Sequence, residues 1–133
     1  MKNKLIFSVL LSLLVSSCSN EKSVNSIKIT QNNNLLDMYT GQPIELTDDL
    51  YILNIWASWC LECIQEHHEF LELSKNQELS NKIIFVLFQD NKENAIKFVE
   101  KYGKGNITFS IDPNSRLAID LGVFGVPETF LIK

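Results

Sequence analysis

The chain has 133 residues, 45% of them hydrophobic, and a formal charge of −4 at neutral pH. Its length fits one domain, and its apolar content suits a packed core rather than a disordered or fibrous chain. The negative charge gives no electrostatic footprint for nucleic acid, so we expect no nucleic-acid partner.

The N-terminus has the pattern of an export signal. Lys2 and Lys4 precede an apolar and small-residue run at 5–17, which Cys18 follows at once. As a helix this run would extend roughly 20 Å, short of a hydrocarbon core of about 30 Å, so it is typical of a secretory signal rather than a spanning helix. The letters VSSC at its end resemble the bacterial lipobox, in which the cysteine becomes the lipidated first residue. The alternative is an ordinary signal peptide with an incidental cysteine.

These features predict three segments: a lipoprotein signal peptide at 1–17, a lipidated N-terminus and tether at 18–40, and a folded domain at 41–133. The tether segment is polar and Asn-rich, which is typical of a linker. The expected location is the bacterial periplasm, with a membrane partner reached through the lipid on Cys18. The remaining thiols, Cys60 and Cys63, would then lie in an oxidising compartment.

Downstream of residue 40, apolar strand patterns alternate with helical ones. The predicted elements are a turn at 41–43, strand Tyr51–Trp56, helix 60–75, strand 82–89, helix 91–102, strand 107–111, a brief helix at 115–121 and a strand at 128–133. The strands are short and almost wholly apolar, as in a sheet that is buried on both faces. The alternation predicts an α/β fold with a largely parallel central sheet flanked by helices.

The motif WCLEC follows the first predicted core strand directly. This spacing places Cys60 at a helix N-terminus, where unpaired backbone N–H groups and the helix dipole favour a thiolate. Cys63 lies almost one turn further in and is near enough to attack a mixed disulfide at Cys60. A two-residue gap closes too small a loop to stabilise the fold, so reactivity explains the pair better than stapling. We expect Cys60 to attack a disulfide and Cys63 to resolve the product.

Two segments together carry a family resemblance. NIWASWCLEC (54–63) and the distant GVFGVPETFLI (122–132) resemble the thioredoxin-like proteins of the TlpA/ResA/CcmG (DsbE) group, which are exported or membrane-tethered thiol–disulfide oxidoreductases. The second segment is closest to the CcmG branch, whose YGVYGAPETF corresponds to LGVFGVPETF. The resemblance extends from residue 41 to residue 133 and implies a thioredoxin-like fold with a mixed central sheet.

The resemblance also implies which residues bind the substrate. Pro127 matches the family's cis-proline, whose loop faces the dithiol and presents the backbone of Val126 to an extended substrate strand. Glu128 matches an acidic position that lines the groove, with a plain strand-edge charge as the alternative. Trp59 matches an aromatic residue beside the motif that would cover Cys60.

Glu66 matches an acidic residue three positions after the second cysteine. A carboxyl there could relay a proton to or from Cys63; a solvated helix glutamate is the alternative. Trp56 matches the second aromatic residue of the motif, and its position in a buried strand favours a core role. His67 and His68 are expected on the helix surface or half-buried, without a role.

The sequence departs from the family pattern at three places. One is the lipobox, since CcmG types are commonly tethered by an uncleaved helix rather than by a lipid. Leu61 and Glu62 stand between the cysteines, where many relatives carry a proline. These positions help to set the redox potential, and Glu62 should disfavour a nearby thiolate. The family continues beyond the cis-proline strand with another strand and a C-terminal helix, which the sequence does not show after Lys133. We therefore expect a C-terminally incomplete fold, with an inactive truncated version as one possibility.

The expected function is disulfide exchange on protein thiols, with the Cys60–Cys63 disulfide as the redox centre and no other cofactor. Within that class the resemblance favours a reductant of apocytochrome c that is re-reduced by a membrane thiol transporter. A broad-specificity disulfide reductase or isomerase is the first alternative. A different class is a metallochaperone that binds a soft metal through Cys60, Cys63 and His67, whose spacing places them on adjacent helical turns.

Overall fold

The computed structural model of the chain describes residues 34–47 and 50–133. The expected signal peptide at 1–17, the lipidation of Cys18 and most of the expected tether lie outside these residues. Within the described ranges, no helix has the length and apolar character needed to cross a membrane.

The element order agrees with the alternation predicted from the sequence. The elements are β1 (Leu36–Asp37), β2 (Tyr51–Trp56), α1 (Leu61–Leu73), β3 (Ile83–Leu87), α2 (Lys92–Tyr102), β4 (Thr108–Ile111), α3 (Arg116–Leu121) and β5 (Glu128–Ile132). A single 3₁₀ turn at Pro113–Ser115 leads into α3. The five strands form one sheet in the order β1-β4-β3-β2-β5. Strands β2, β3 and β4 run parallel, while β1 and β5 pair antiparallel at the two sides, which confirms the expected mixed sheet.

Strand β1 shows that the predicted boundary between tether and domain at 40/41 falls too late. Leu36 pairs with Ile111, and the backbone N–H of Met38 donates to the Phe109 carbonyl at 2.8 Å. Leu35 and Met38 are buried. The Asn-rich composition before residue 35 masked this short apolar segment, which pairs with the distant strand β4 on one side and bonds locally to residues 41–44 on the other.

The sheet separates two apolar cores, as alternating side chains of a strand buried on both faces require. One core lies under α1 and α2 and is called the aromatic core here because Trp56, Phe85, Phe98 and Phe109 meet in it. The other core lies on the opposite face, under α3, and is mostly aliphatic; it includes Leu53, Ile55, Ile84, Val86 and Leu117. Both cysteines of the WCLEC motif belong to the aromatic core, so the face of the sheet that carries α1 is the face of the site.

Candidate redox site

The dithiol lies at the start of α1, directly after the loop that follows β2. Cys60 is the N-cap of α1 in an extended conformation, and its Sγ accepts a hydrogen bond from the Cys63 backbone N–H at 3.1 Å. The two cysteines form a disulfide and are both buried. The prediction that Cys60 stands at a helix N-terminus is therefore confirmed. The Cys63 N–H in the first turn is directed at its sulfur, which is the setting that stabilises a thiolate after reduction.

The two residues between the cysteines face solvent. Leu61 is 67% exposed, and Glu62 is an exposed acidic side chain in the first turn of α1. A carboxylate there interacts favourably with the helix dipole, yet it opposes a second negative charge on a nearby sulfur. The influence of these two residues on the redox potential stays a prediction.

The loop before Cys60 is tied to the loop after β3. Asp90 accepts hydrogen bonds from the Ser58 backbone N–H at 2.7 Å and from the Ser58 hydroxyl at 2.5 Å. Partial burial raises the pKa of Asp90, but the hydrogen bonds from Ser58, Asn91 and Asn94 outweigh it and leave the pKa below its usual value. Trp59 is 62% exposed, and its indole N–H donates to the Gln89 carbonyl at 3.3 Å. The loop that leads into Cys60 and α1 is thus fixed by hydrogen bonds to the loop after β3.

The segment before β5 comes to the same core. The peptide bond between Val126 and Pro127 is cis, as the resemblance implies. Val126 is half-buried and packs against the aromatic core that contains both cysteines. The structure therefore brings the two distant motifs of the sequence to one region, because β5 pairs with β2, the strand that leads into Cys60.

Glu128 is directed away from that region. It lies opposite Ile55 in the β2–β5 pair, and opposite residues of an antiparallel pair share a face, so its side chain projects on the side of α3. Its Oε1 accepts from the backbone N–H groups of Phe124 and Gly125 at 2.9 and 3.0 Å. The carboxylate thus organises the turn before Pro127, while its expected role in the substrate groove stays a prediction.

A buried amide that belongs to neither predicted set of site residues joins the two motifs. Asn54 is buried in the centre of β2, and its Nδ2 donates to Glu66 Oε2 at 3.1 Å and to Thr129 Oγ1 at 3.0 Å. An unpaired polar group in an apolar strand is costly, so such a residue normally has partners. Asn54 is the one polar residue in the otherwise apolar strand YILNIW, and that exception is the sequence signal that could have indicated it.

His67 corrects a prediction, because it is neither at the surface nor half-buried. The ring is fully buried against Phe85, Phe98 and Phe109. Its Nε2–H donates to the Gly103 carbonyl at 2.8 Å, while Nδ1 has no partner among the described residues. Burial lowers the pKa of His67, the bond to Gly103 opposes this shift, and the neighbouring imidazole adds to it.

This placement bears on the metallochaperone alternative. The Nε2 of His67 is occupied by a backbone carbonyl inside the aromatic core. Across residues 34–47 and 50–133, no cluster of three His, Cys, Asp or Glu side chains has the arrangement of a metal site. The structure therefore offers the proposed ligand set of two cysteines and His67 no common centre.

Comparison with known proteins identifies the family. The sequence pattern of the Redoxin family matches residues 31–133, which include both motifs and all five strands. The chain belongs to the Redoxin family. This match begins before the predicted domain boundary, in agreement with the position of β1.

Curated relatives of this Redoxin chain are named thiol:disulfide interchange proteins. It is 40% identical over 83 residues to the thiol:disulfide interchange protein CycY of Rhizobium leguminosarum bv. viciae, a match that covers 62% of this chain and 44% of that protein. It is 30% identical over 119 residues to the thiol:disulfide interchange protein DsbE of Allochromatium vinosum, covering 90% of this chain and 61% of that protein. The chain spans about half the length of the curated relatives it matches.

Solved structures confirm the thioredoxin-like fold. DsbF of Mycobacterium tuberculosis superposes with a TM-score of 0.64 at 18% identity, covering 80% of this chain and 88% of that one. A thioredoxin-like protein from Aeropyrum pernix superposes with a TM-score of 0.61 at 22% identity, covering 73% and 71%. At these identities the likeness establishes the fold alone.

Proposed function

We propose that this Redoxin-family chain is a thiol–disulfide oxidoreductase whose redox centre is the Cys60–Cys63 pair, without a further cofactor. The observation that carries the proposal is the disulfide at the N-cap of α1, where the Cys63 N–H is directed at the Cys60 sulfur. The names of the similar thiol:disulfide interchange proteins support the same activity.

The proposed reaction in the reducing direction has two steps. In the first, the Cys60 thiolate attacks one sulfur of a substrate disulfide, the substrate S–S bond breaks, and the other substrate sulfur leaves as a thiolate. In the second, the Cys63 thiol passes its proton to the Glu66 carboxylate, and the Cys63 thiolate attacks the Cys60 sulfur. The bond between Cys60 and the substrate breaks, its electron pair goes to the substrate sulfur, and the proton returns to solvent through Glu66. The substrate gains two electrons and the dithiol becomes a disulfide.

The substrate in this proposal is an extended polypeptide strand held by the segment before β5. The resemblance assigns the backbone of Val126 and the ring of Pro127 to substrate binding; Val126 packs against the core that contains the dithiol, and its peptide bond to Pro127 is cis. Trp59 and Phe124 add exposed aromatic surface; Phe124 is fully exposed at the turn that Glu128 organises. Exposed aromatic side chains of this kind are enriched at sites that bind peptides.

The proposed setting is the bacterial periplasm, with the protein tethered to a membrane through a lipid on Cys18. The resemblance to the CcmG branch favours apocytochrome c as the substrate and a membrane thiol transporter as the electron donor. An oxidising compartment re-forms disulfides readily, so a reductant there needs a dedicated electron source. A broad-specificity disulfide reductase or isomerase remains the alternative within the same class.

The activity is tested with the full chain, reduced and then mixed with two substrates in parallel: insulin and an oxidised peptide that contains Cys-x-x-Cys-His. Reduction of the peptide well above the insulin rate, together with re-reduction of the oxidised chain by membranes that contain the transporter, supports the cytochrome assignment. Insulin reduction with no preference for the peptide supports the broad reductase. Failure with both substrates would overturn the oxidoreductase proposal.

The anchor is tested by fractionating cells that express the wild-type chain or Cys18→Ser. Wild-type protein that is labelled by fatty acid and sediments with membranes supports the anchor, provided that Cys18→Ser loses both properties. Equal membrane association of the two proteins would contradict lipidation at this residue.

A further inference from the structure

Resting on the proposed function, we propose that Asn54 is a positioning residue that holds the Glu66 carboxylate beside Cys63 and couples it to the substrate-binding strand through Thr129. The proposal concerns the second step of the exchange, in which Cys63 gives up its proton. Asn54 and Thr129 form no hydrogen bond to either sulfur among the described residues, so both would act through Glu66.

Both N–H bonds of the Asn54 amide are in use. One is donated to Glu66 Oε2 at 3.1 Å and the other to Thr129 Oγ1 at 3.0 Å. An ionised carboxylate only accepts hydrogen bonds, so the amide nitrogen must be the atom that faces Glu66. Asn54 is 1% exposed, whereas Thr129 is exposed and Glu66 is half-buried. The buried amide would lose its hydrogen bonds if these acceptors turned away, which favours the arrangement in which they stay in place.

The three residues lie on the face of the sheet that carries the dithiol. Ile52 and Trp56 pack into the aromatic core, and Asn54 shares their face because side chains alternate along a strand. Thr129 is directly opposite Asn54 in the antiparallel β2–β5 register. The amide therefore connects β2, α1 and β5 at the level where the two motifs meet.

Glu66 needs such a partner if it is to serve Cys63. The two residues are three positions apart on α1, which makes them neighbours on one helix face. Glu66 is only half-buried, and a glutamate has a long flexible side chain that can turn to water. The hydrogen bond from Asn54 holds the carboxylate inward, on the side of the buried cysteine.

Thr129 extends this arrangement to the strand of the cis-proline. Its hydroxyl accepts from Asn54 and keeps its own proton for donation, and it lies two residues after Pro127. Substrate bound along that segment would therefore be held by the same strand that anchors the amide. Glu66, the proton acceptor, and Thr129, on the strand beside the substrate, are then both positioned by hydrogen bonds from Asn54.

The test separates the two steps with the chromogenic disulfide dithiobis-nitrobenzoate. The reduced full chain carries Cys18→Ser, so that colour comes from the Cys60–Cys63 pair alone. Attack by Cys60 releases a first coloured thiolate, and resolution by Cys63 releases a second. The variants are Asn54→Ala, Glu66→Gln and their combination, with Ser110→Ala as a matched control, since Ser110 is also buried on a core strand and donates to the Phe85 carbonyl.

We expect Asn54→Ala to slow the second release by about tenfold or more and to change the first by less than about twofold. The double variant should be no slower than Glu66→Gln, because residues that act as one unit are not additive. Thr129→Ser, which keeps the hydroxyl, should release the second thiolate at the wild-type rate, and Thr129→Val should release it more slowly. These two variants test the proposal even if Asn54→Ala fails to fold. Ser110→Ala should leave both phases unchanged.

Three results would count against the proposal in distinguishable ways. A normal second phase in Asn54→Ala beside a slow one in Glu66→Gln overturns the positioning role and leaves the relay intact. A normal second phase in Glu66→Gln overturns the relay and the positioning role together, while disulfide exchange stands. Loss of the first phase in the Cys18→Ser chain itself would overturn the proposed function.

Discussion

The Asp90 carboxylate accepts two hydrogen bonds from Ser58, one from the backbone N–H at 2.7 Å and one from the hydroxyl at 2.5 Å. These bonds join the loop after β3 to the loop before Cys60, which is 32 positions away in the sequence. The loop that precedes Cys60 is therefore anchored by a residue outside α1, and mutating Asp90 tests this contact directly.

Replacing Asp90 with Asn should lower the free energy of unfolding by about 1.5–3 kcal/mol at pH 7, because hydrogen bonds to a charged acceptor are replaced by weaker ones. Urea denaturation of the oxidised protein measures this change. Asp120→Asn is the matched control: its exposed ion pair with Arg116 should be worth less than about 1 kcal/mol. Equal losses in the two variants would show that the bonds to Ser58 add nothing.

The same pair predicts an acid dependence with a definite sign. The pKa of Asp90 is lowered in the folded state, so its contribution is fully present above the unfolded value of about 3.9 and is lost as the pH falls through the lower folded value. The stability difference between wild type and Asp90→Asn should therefore shrink below about pH 4. A difference that grows on acidification would contradict the direction of the shift.

His67 predicts a pH dependence closer to neutrality. Its pKa is lowered in the folded state, so the unfolded chain takes up a proton near pH 6.5 while the buried ring resists it. Stability should be full above that pH and fall as the pH drops below it. Urea midpoints between about pH 5.5 and 7.5, where carboxylates stay ionised, isolate this effect.

His67→Phe should flatten that dependence, since a phenyl ring suits the surrounding aromatic side chains and does not titrate. His68→Gln is the control, because His68 is exposed on the same helix and should leave the slope unchanged. A slope that follows His68 instead of His67 would refute the assignment.

Gly105 predicts a steric effect at the end of α1. A Cβ atom on Gly105 would lie 2.8 Å from both Leu71 Cδ2 and Ser74 Oγ, and φ is +56°. Gly122→Ala is a close match with φ of +70° and open space around the position, so it should cost only the left-handed backbone penalty of about 1–2 kcal/mol. Gly105→Ala should exceed that loss by at least about 1 kcal/mol. Equal losses in thermal or urea unfolding would show that the loop yields without strain.

The order of attack is testable by trapping. In reduced Cys63→Ala, the intermediate between Cys60 and a substrate peptide cannot be resolved, so a stable mixed disulfide should accumulate. Reduced Cys60→Ala should trap far less, because Cys63 lies one turn inside the helix and lacks the N-cap position that favours a thiolate at Cys60. Mass spectrometry under non-reducing conditions measures both adducts. Preferential trapping by Cys60→Ala would reverse the assigned roles.

The helices and strands follow closely from local patterns in the sequence. Each predicted core element from β2 onward is present, and Asn91 and Gly103 bound α2 as the N-cap and the C-cap. The pattern of WCLEC after an apolar strand was sufficient to place Cys60 at a helix start, because a cap and its dipole are local properties of the chain. Strand β1 was missed because two paired residues leave almost no periodic signal.

What the sequence determined by itself was therefore the dithiol, its helix and the order of the elements. Only the tertiary structure decided that His67 is buried under aromatic rings, that Ser58 is held by Asp90, and that Asn54 meets Glu66 and Thr129. Each of these contacts joins residues far apart in the chain, and the pairing of β5 with β2 sets which side chains face one another. Contacts of that kind depend on strand register and on packing across the sheet, which no short stretch of sequence encodes.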